Sequence, residues 1–257
     1  MLLPPGKTPR YFALLIGLDR VDEDAYLTSP APLASPSKNV NAFAEMFTQF
    51  CGERANLTIL KNKAASRANI FAHLQQLTED AEEGDCIFIT FSGHGGQVKD
   101  FDNKEEDGFD ETWGCYDGEI IDDQLCHYWS KFKAGIRVVV LSDSCHSGTI
   151  LKSKNSTKPS GESSDLLTCE SGAKVQASVL SISSVKDQQY GQDGQSLSPF
   201  TKAVCRIWQE RNPNETFESF HKRLLQEPNT SYSREPQLQV LGPSDRQDDL
   251  KAQFFNN

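Results

Sequence analysis

Two side chains, His94 and Cys145, could together perform nucleophilic catalysis. A thiolate is a strong nucleophile, and a nearby imidazole can take the thiol proton and later return a proton to a leaving amine. The histidine precedes the cysteine by about 50 residues, a separation known for Cys/His pairs that a fold brings together. Most cysteines and histidines taken singly are packing or surface residues. Here both residues follow apolar runs and stand among glycine and serine, which favours acyl-transfer chemistry.

Acyl transfer also needs hydrogen-bond donors that face the developing oxyanion. The glycines beside His94 allow close approach of the backbone, and we expect the backbone amides of Gly95 and Cys145 to be these donors. His146 is an alternative base, but adjacent residues on an extended segment point to opposite sides. We therefore prefer His94.

Both residues follow runs that are typical of strands buried on both faces, Cys86–Phe91 before His94 and Val138–Leu141 before Cys145. In open α/β sheets, functional groups gather beyond the carboxyl ends of the strands. Further strands are predicted at residues 10–18, 57–60, 179–183 and 237–241, and helices at residues 37–50, 67–82, 122–132, 199–209 and 215–226. This alternation predicts an α/β sandwich with a parallel sheet.

Length and composition narrow the class of protein. A chain of 257 residues can bury a full core, and we expect one domain over residues 1–257. The net charge of -10 argues against nucleic-acid binding, and no run suits a membrane helix or a signal peptide. Seven scattered cysteines without a Cys-x-x-Cys motif predict a reducing, cytoplasmic location. Zinc binding through Cys115 and Cys126 does not fit the spacing of a closed site.

The words around the two residues carry a family resemblance. Phe91-Ser-Gly-His94-Gly-Gly-Gln97 and Asp143-Ser-Cys145-His-Ser-Gly148 resemble the metacaspases and the prokaryotic orthocaspases, whereas the Gln-Ala-Cys-x-Gly word of caspases is absent. The resemblance spans about Tyr11 to Val204. It implies a caspase-like three-layer α/β/α sandwich with a mostly parallel six-stranded sheet.

The same resemblance implies a function. We expect a cysteine endopeptidase that cleaves protein or peptide substrates after basic residues, with arginine preferred over lysine. It implies a monomer and no organic cofactor. Two alternatives stay open: a calcium-independent peptidase activated by a regulatory protein, and a caspase-like binding or regulatory scaffold with little catalysis.

Substrate-binding residues follow from the family pattern. Asp143 and Ser92 correspond to residues of the pocket that holds the basic side chain. The family contributes a second acid from the start of the first helix, and here Asn39 takes its place, with Pro36 where the family has a cysteine. Asp187 lies in a segment that borders the substrate cleft in the family.

Calcium is the one metal that the resemblance implies. The family's ligands correspond to Asp110, Asp122 and Asp123, and a fourth position falls on Lys152. An ammonium cannot ligate calcium but could supply the positive charge electrostatically. Calcium dependence therefore stays open. The acidic segment 100–111 that contains Asp110 fails the EF-hand pattern and otherwise indicates a solvated loop.

The polar segment over residues 150–175 predicts a mobile loop. Activation by self-cleavage would fall in this segment, after one of its lysines: Lys152, Lys154, Lys158 or Lys174.

Overall fold

The computed structural model describes residues 8–28, 30–99, 108–144, 174–184, 196–212, 215–227 and 236–242. The strands in these ranges are β1 (Tyr11–Gly17), β2 (Ala55–Lys61), β3 (Cys86–Ser92), β4 (Gly95–Lys99), β5 (Phe109–Cys115), β6 (Gly118–Ile121), β7 (Arg137–Asp143), β8 (Ser178–Ser184) and β9 (Gln237–Leu241). The α-helices are α1 (Pro36–Cys51), α2 (Arg67–Asp80), α3 (Asp122–Trp129), α4 (Pro199–Gln209) and α5 (Phe217–Leu225). None of these helices is both long and apolar enough to cross a bilayer.

The central sheet has six strands in the order β2-β1-β3-β7-β8-β9. All neighbouring pairs are parallel except β8 and β9, which run antiparallel. The predicted mostly parallel six-stranded sheet is therefore confirmed. Strands β3 and β7 are neighbours, and Ser92 pairs with Asp143 at their carboxyl ends. The segments that continue from these two strands towards His94 and Cys145 thus start at the same edge of the sheet.

Helices cover both faces of the sheet and give it two cores. On one face, Phe43 and Phe47 of α1 contact Phe88 of β3, and helices α4 and α5 complete this layer. On the other face, α2 and α3 contribute Leu74 and Trp129 to the second core. The three-layer α/β/α sandwich is confirmed.

A second, three-stranded antiparallel sheet in the order β4-β5-β6 follows His94 directly. The expectation of a solvated loop is wrong for Phe109–Glu111, because these residues begin β5 and both acids, Asp110 and Glu111, are buried. Trp113 and Ile120 anchor this sheet in the core beside α2 and α3. Strands β4 and β6 are only five and four residues long, and β5 lacks the apolar alternation by which a strand is recognised in a sequence.

Candidate active site

His94 lies between β3 and β4, at the carboxyl edge of the central sheet. Its Nε2 is 2.7 Å from the carbonyl oxygen of Ala31. Because a carbonyl oxygen can only accept, Nε2 must carry the proton, and in the neutral ring Nδ1 is left as the basic nitrogen. Burial lowers the pKa of His94, and the bond to Ala31 opposes that shift. The imidazole is therefore held in the neutral form that a general base requires.

The second sheet fixes the backbone of His94. The Gly114 N–H of β5 donates to the His94 carbonyl over 2.9 Å. A Cβ atom at position 114 would lie 3.1 Å from that carbonyl oxygen, so glycine permits this close approach. Gly95, the predicted oxyanion donor, pairs with Trp113 at the start of the β4–β5 ladder. The histidine is thus held between two sheets.

A surface loop carries the Ala31 carbonyl, and it is tied to the same small sheet. The Tyr26 hydroxyl lies 2.5 Å from the Cys115 carbonyl and 2.8 Å from the Gly118 carbonyl, and its proton is shared between them. Nearby, the Asp22 N–H donates to the Tyr116 carbonyl over 2.8 Å. We refer to residues 18–28 and 30–33 as the Ala31 loop. Sequence reasoning missed its role, because a backbone carbonyl has no residue signature.

Asp143, the predicted pocket acid, is 5% exposed and accepts hydrogen bonds from neutral donors on three elements. The donors are Asn39 Nδ2 at 3.1 Å, Ser184 Oγ at 3.1 Å, Thr201 Oγ1 at 3.3 Å and Ser198 Oγ. The carboxyl group therefore links α1, the end of β8 and the start of α4. Ser198 was not singled out from the sequence, although a serine directly before Pro199 is typical of an N-cap; its side chain caps α4.

Asn39 joins the predicted pocket residues to one another. Its Nδ2 donates to Ser92 Oγ over 2.8 Å as well as to Asp143, and its Oδ1 accepts from the Ser198 N–H over 3.0 Å. Asn39 and Ser92 are fully buried. The structure thus brings together the three residues that the sequence assigned to one pocket. Their contact with substrate stays a prediction.

The predicted metal ligands lie at the start of β5 and α3. Asp122 is buried and accepts from the Glu111 and Asp123 backbone N–H groups over 3.3 and 2.9 Å. Burial, with the carboxylates of Glu111 and Asp110 close by, raises the pKa of Asp122 to about 9. Over the described ranges, no three His, Cys, Asp or Glu side chains form a group that could hold a metal ion. The site does bring several acidic side chains close together.

Several predicted site residues lie outside the described residues: Cys145, Asp187, Lys152, Lys154 and Lys158. Lys174 lies at the start of a described segment and is exposed. Cys145 directly follows Ser144, the last described residue after β7. The described residues therefore include the proposed base, His94, and the proposed pocket around Asp143, whereas the nucleophile Cys145 is assigned from the sequence alone.

Comparison with known proteins gives one family. The model of the family "Metacaspase, peptidase C14 domain" matches residues 13–154. Metacaspase-1 of Schizosaccharomyces pombe is 28% identical, and the match covers 91% of this chain and 68% of that protein. Metacaspase-1 of Candida glabrata is also 28% identical, with coverages of 93% and 74%. The match to Metacaspase-1A of Neurospora crassa is 36% identical and covers 54% of this chain but only 32% of that protein.

A solved structure extends the likeness to the whole fold. The crystal structure of protein GSU0716 from Geobacter sulfurreducens is 32% identical to this chain and matches it with a TM-score of 0.74. The match covers 96% of this chain and 99% of that chain.

Proposed function

The chain belongs to the metacaspase family of cysteine-type endopeptidases, and we propose that it cleaves peptide bonds after basic residues by means of Cys145 and His94. The observation that carries this proposal is the hydrogen bond from His94 to Ala31, because it leaves Nδ1 as the basic nitrogen. Protein or peptide substrates follow from the family.

The proposed reaction starts with transfer of the Cys145 thiol proton to Nδ1 of His94. The thiolate attacks the carbonyl carbon of the scissile bond, a C–S bond forms, and the electron pair of the C=O bond moves to oxygen. Backbone amides, proposed as those of Gly95 and Cys145, stabilise this oxyanion. When the oxyanion collapses, the C–N bond breaks and the imidazolium protonates the leaving amine. Water, activated by the neutral imidazole, then hydrolyses the thioester and regenerates the thiol.

The preference for a basic side chain rests on Asp143. Its carboxyl group is buried among hydroxyl and amide donors, which stabilise a negative charge without neutralising it. An arginine guanidinium is planar and suits a carboxylate better than a lysine ammonium does. With asparagine at position 39 in place of a second acid, we propose that arginine is preferred over lysine.

Reporter hydrolysis and covalent labelling test the proposal together. The parent chain should hydrolyse an arginyl-amide reporter faster than lysyl and glutamyl reporters, and Cys145→Ala and His94→Gln should abolish the hydrolysis. A peptidyl-arginine electrophile should label Cys145. The matched control is Cys205→Ala, which removes a half-buried thiol of α4 and should leave both readouts unchanged. A Cys145→Ala variant as active as the parent would exclude this mechanism, and failure to label Cys145 would favour a binding scaffold.

For cation regulation, we propose that Asp110, Asp122 and Asp123 form the acidic side of the site. The Lys152 ammonium is proposed to supply the charge that calcium supplies elsewhere in the family, with a regulatory protein as the trigger. Activity in the presence of a calcium chelator should then equal activity with added calcium, and Lys152→Asp should create calcium dependence. Lys154→Asp is the matched control, since it makes the same charge change two residues away. Loss of parent activity in the chelator would instead make calcium the regulator.

A further inference from the structure

The side chain of Trp113 in β5 contacts both the strand that leads to His94 and the strand that leads to Cys145. Its ring stacks on Phe91 of β3, with centroids 4.6 Å apart and planes only 3° from parallel. Phe91 stands three positions before His94 in the chain. Both rings are fully buried. Trp113 therefore packs directly on the end of the histidine strand.

The polar edge of the same side chain reaches the other strand. Trp113 Nε1 donates to Ser142 Oγ of β7 over 3.1 Å, and Ser142 Oγ lies 3.2 Å from Ser144 Oγ. The indole N–H is only a donor, so Ser142 must accept from it and keeps its own proton for a second partner. Ser142 and Ser144 are 0% and 2% exposed, so water does not compete for these bonds.

The backbone around Trp113 adds a third connection. Gly95 is its partner in the β4–β5 ladder, and the next residue, Gly114, donates to the His94 carbonyl. Trp113 therefore contacts Phe91 before His94, pairs with Gly95 after it, and reaches the Ser144 hydroxyl before Cys145 through Ser142.

We propose that Trp113 is a positioning residue for the His94 and Cys145 pair, acting through Phe91 on one side and through Ser142 and Ser144 on the other. This inference rests on the proposed function. The ring stack sets the position of the carboxyl end of β3 relative to the small sheet. The indole N–H holds the Ser142 hydroxyl and thereby sets the direction in which the chain leaves β7. Because Trp113 is not proposed to contact the substrate, its substitution should leave substrate binding unchanged.

Trp113→Phe tests the hydrogen bond, because it keeps an aromatic ring over Phe91 and removes the indole N–H. For an arginyl-amide reporter we expect kcat to fall about three- to tenfold, the range of one neutral hydrogen bond, with KM unchanged. Alkylation of Cys145 by iodoacetamide, followed by mass spectrometry of the peptide that contains it, should slow by a similar factor. Ser142→Ala should reproduce both effects, and the double variant should be no worse than either single one.

Trp129→Phe is the matched control. Trp129 is also fully buried, and its indole nitrogen has no hydrogen-bond partner within the described part of the chain. This variant should lose a comparable amount of core volume and leave kcat and the Cys145 alkylation rate unchanged.

Three results would overturn the inference: equal effects of Trp113→Phe and Trp129→Phe, additive effects of Trp113→Phe and Ser142→Ala, or a rise in KM alone. If Trp113→Phe does not fold, Ser142→Ala tests the inference instead, because it removes only a hydroxyl. The readouts are again kcat for the arginyl-amide reporter and the alkylation rate of Cys145. A parent chain that hydrolyses no arginyl amide would contradict the proposed function, whereas the alkylation rates would still test the positioning role.

Discussion

Asn39 and Asp143 form a buried pair of one amide and one acid, separated by 3.1 Å. The amide group supplies hydrogens to both Ser92 and Asp143, which a carboxylate at the same position could not do. In this chain the position that carries a second acid in the family pattern is therefore part of the support for the first acid. Asn39 thus brings no charge of its own and donates hydrogen bonds to both Ser92 and Asp143.

An Asn39→Asp variant should be less stable than the parent at neutral pH. Two carboxyl groups would then face each other across a hydrogen-bond distance in a buried site, which raises the pKa of one of them above its unfolded value. A carboxyl group of this kind destabilises the fold above the unfolded pKa and has no effect below it. We expect the free energy of unfolding to drop by about 1–3 kcal/mol at neutral pH and to recover towards pH 4 in denaturant titrations.

Asn41→Asp on the same helix is the control for this substitution. Asn41 is exposed, and its side-chain oxygen accepts from Lys61 Nζ over 2.6 Å, so a carboxylate there gains an ion pair. Its unfolding free energy should change by less than about 0.5 kcal/mol. If Asn39→Asp behaved in the same way, the amide would not be supporting Asp143.

His94 should titrate below the ordinary histidine value of 6.5, because burial lowers its pKa. The effect is cleanest in a Cys145→Ala variant, where no thiolate can pair with the imidazolium. Nitrogen NMR of that variant should show the proton on Nε2 at neutral pH. Since the unfolded chain binds this proton more tightly, His94 subtracts from stability as the pH falls from the unfolded pKa towards the folded one. A pKa above 6.5, or a proton on Nδ1, would contradict the assignment of Nδ1 as the base.

The Ala31 loop carries the carbonyl that orients His94, although this loop is not part of the central sheet or of the helices that cover it. Its side-chain attachment to the small sheet is made by Tyr26, whose hydroxyl meets two carbonyls at the β5–β6 turn, beside the backbone bond from Asp22 to Tyr116. The imidazole is thus oriented by a segment that the small sheet holds in place. A weaker attachment of the Ala31 loop should therefore alter the orientation of the His94 ring before it affects the folding of the central sheet.

Tyr26→Phe should lower kcat about three- to tenfold, because the loss of one hydroxyl bond releases the loop and lets the His94 ring sample other orientations. The pH dependence of kcat should broaden as the tautomer is no longer fixed. Tyr128→Phe is the control: Tyr128 stacks on Phe71, and no described residue hydrogen-bonds its hydroxyl. Equal activity of Tyr26→Phe and the parent would show that the loop needs no such anchor.

Most elements of the central sheet and its helices could be predicted from sequence, because long apolar runs and three-or-four-residue spacings carry a strong signal. The β4–β6 sheet could not. In the sequence, two neighbouring acids such as Asp110 and Glu111 indicate a solvated loop. Both are buried in the structure, because Trp113 of the same strand packs in the core. The cluster around Asp143 was predicted in part, since Asn39 and Ser92 were assigned to it. Ser184 and Thr201 come from distant segments that only the fold brings near.

In the whole molecule, a buried and charged hydrogen-bond cluster lies at the edge of the sheet opposite the candidate active site. At the amino edge, the buried Asp85 accepts from the Arg10 backbone N–H over 3.0 Å and from the Arg10 side chain over 3.0 and 2.6 Å. It also accepts from the Glu82 N–H over 2.9 Å. This carboxylate joins the start of β1, the end of α2 and the start of β3, far along the strands from Asp143.

Asp85→Ala should therefore lower the free energy of unfolding by about 2–4 kcal/mol, since it removes the four hydrogen bonds that this buried carboxylate accepts. The Cys145 alkylation rate of the folded fraction should stay within twofold of the parent. Asp80→Ala is the control, because Asp80 is exposed and offers Arg10 only its backbone carbonyl. If Cys145 were alkylated ten times more slowly in the folded Asp85→Ala protein than in the parent, the two edges of the sheet would be coupled.

The pairing of Ser92 with Asp143 makes catalytic activity a measure of strand alignment. A slip of one residue between β3 and β7 would displace the ends of these strands by about 3.3 Å and turn every following side chain to the opposite face. Such a protein would keep the same content of strand and helix in a circular dichroism spectrum. During refolding, recovery of turnover should therefore lag behind recovery of secondary structure by the time that misaligned chains need to correct themselves.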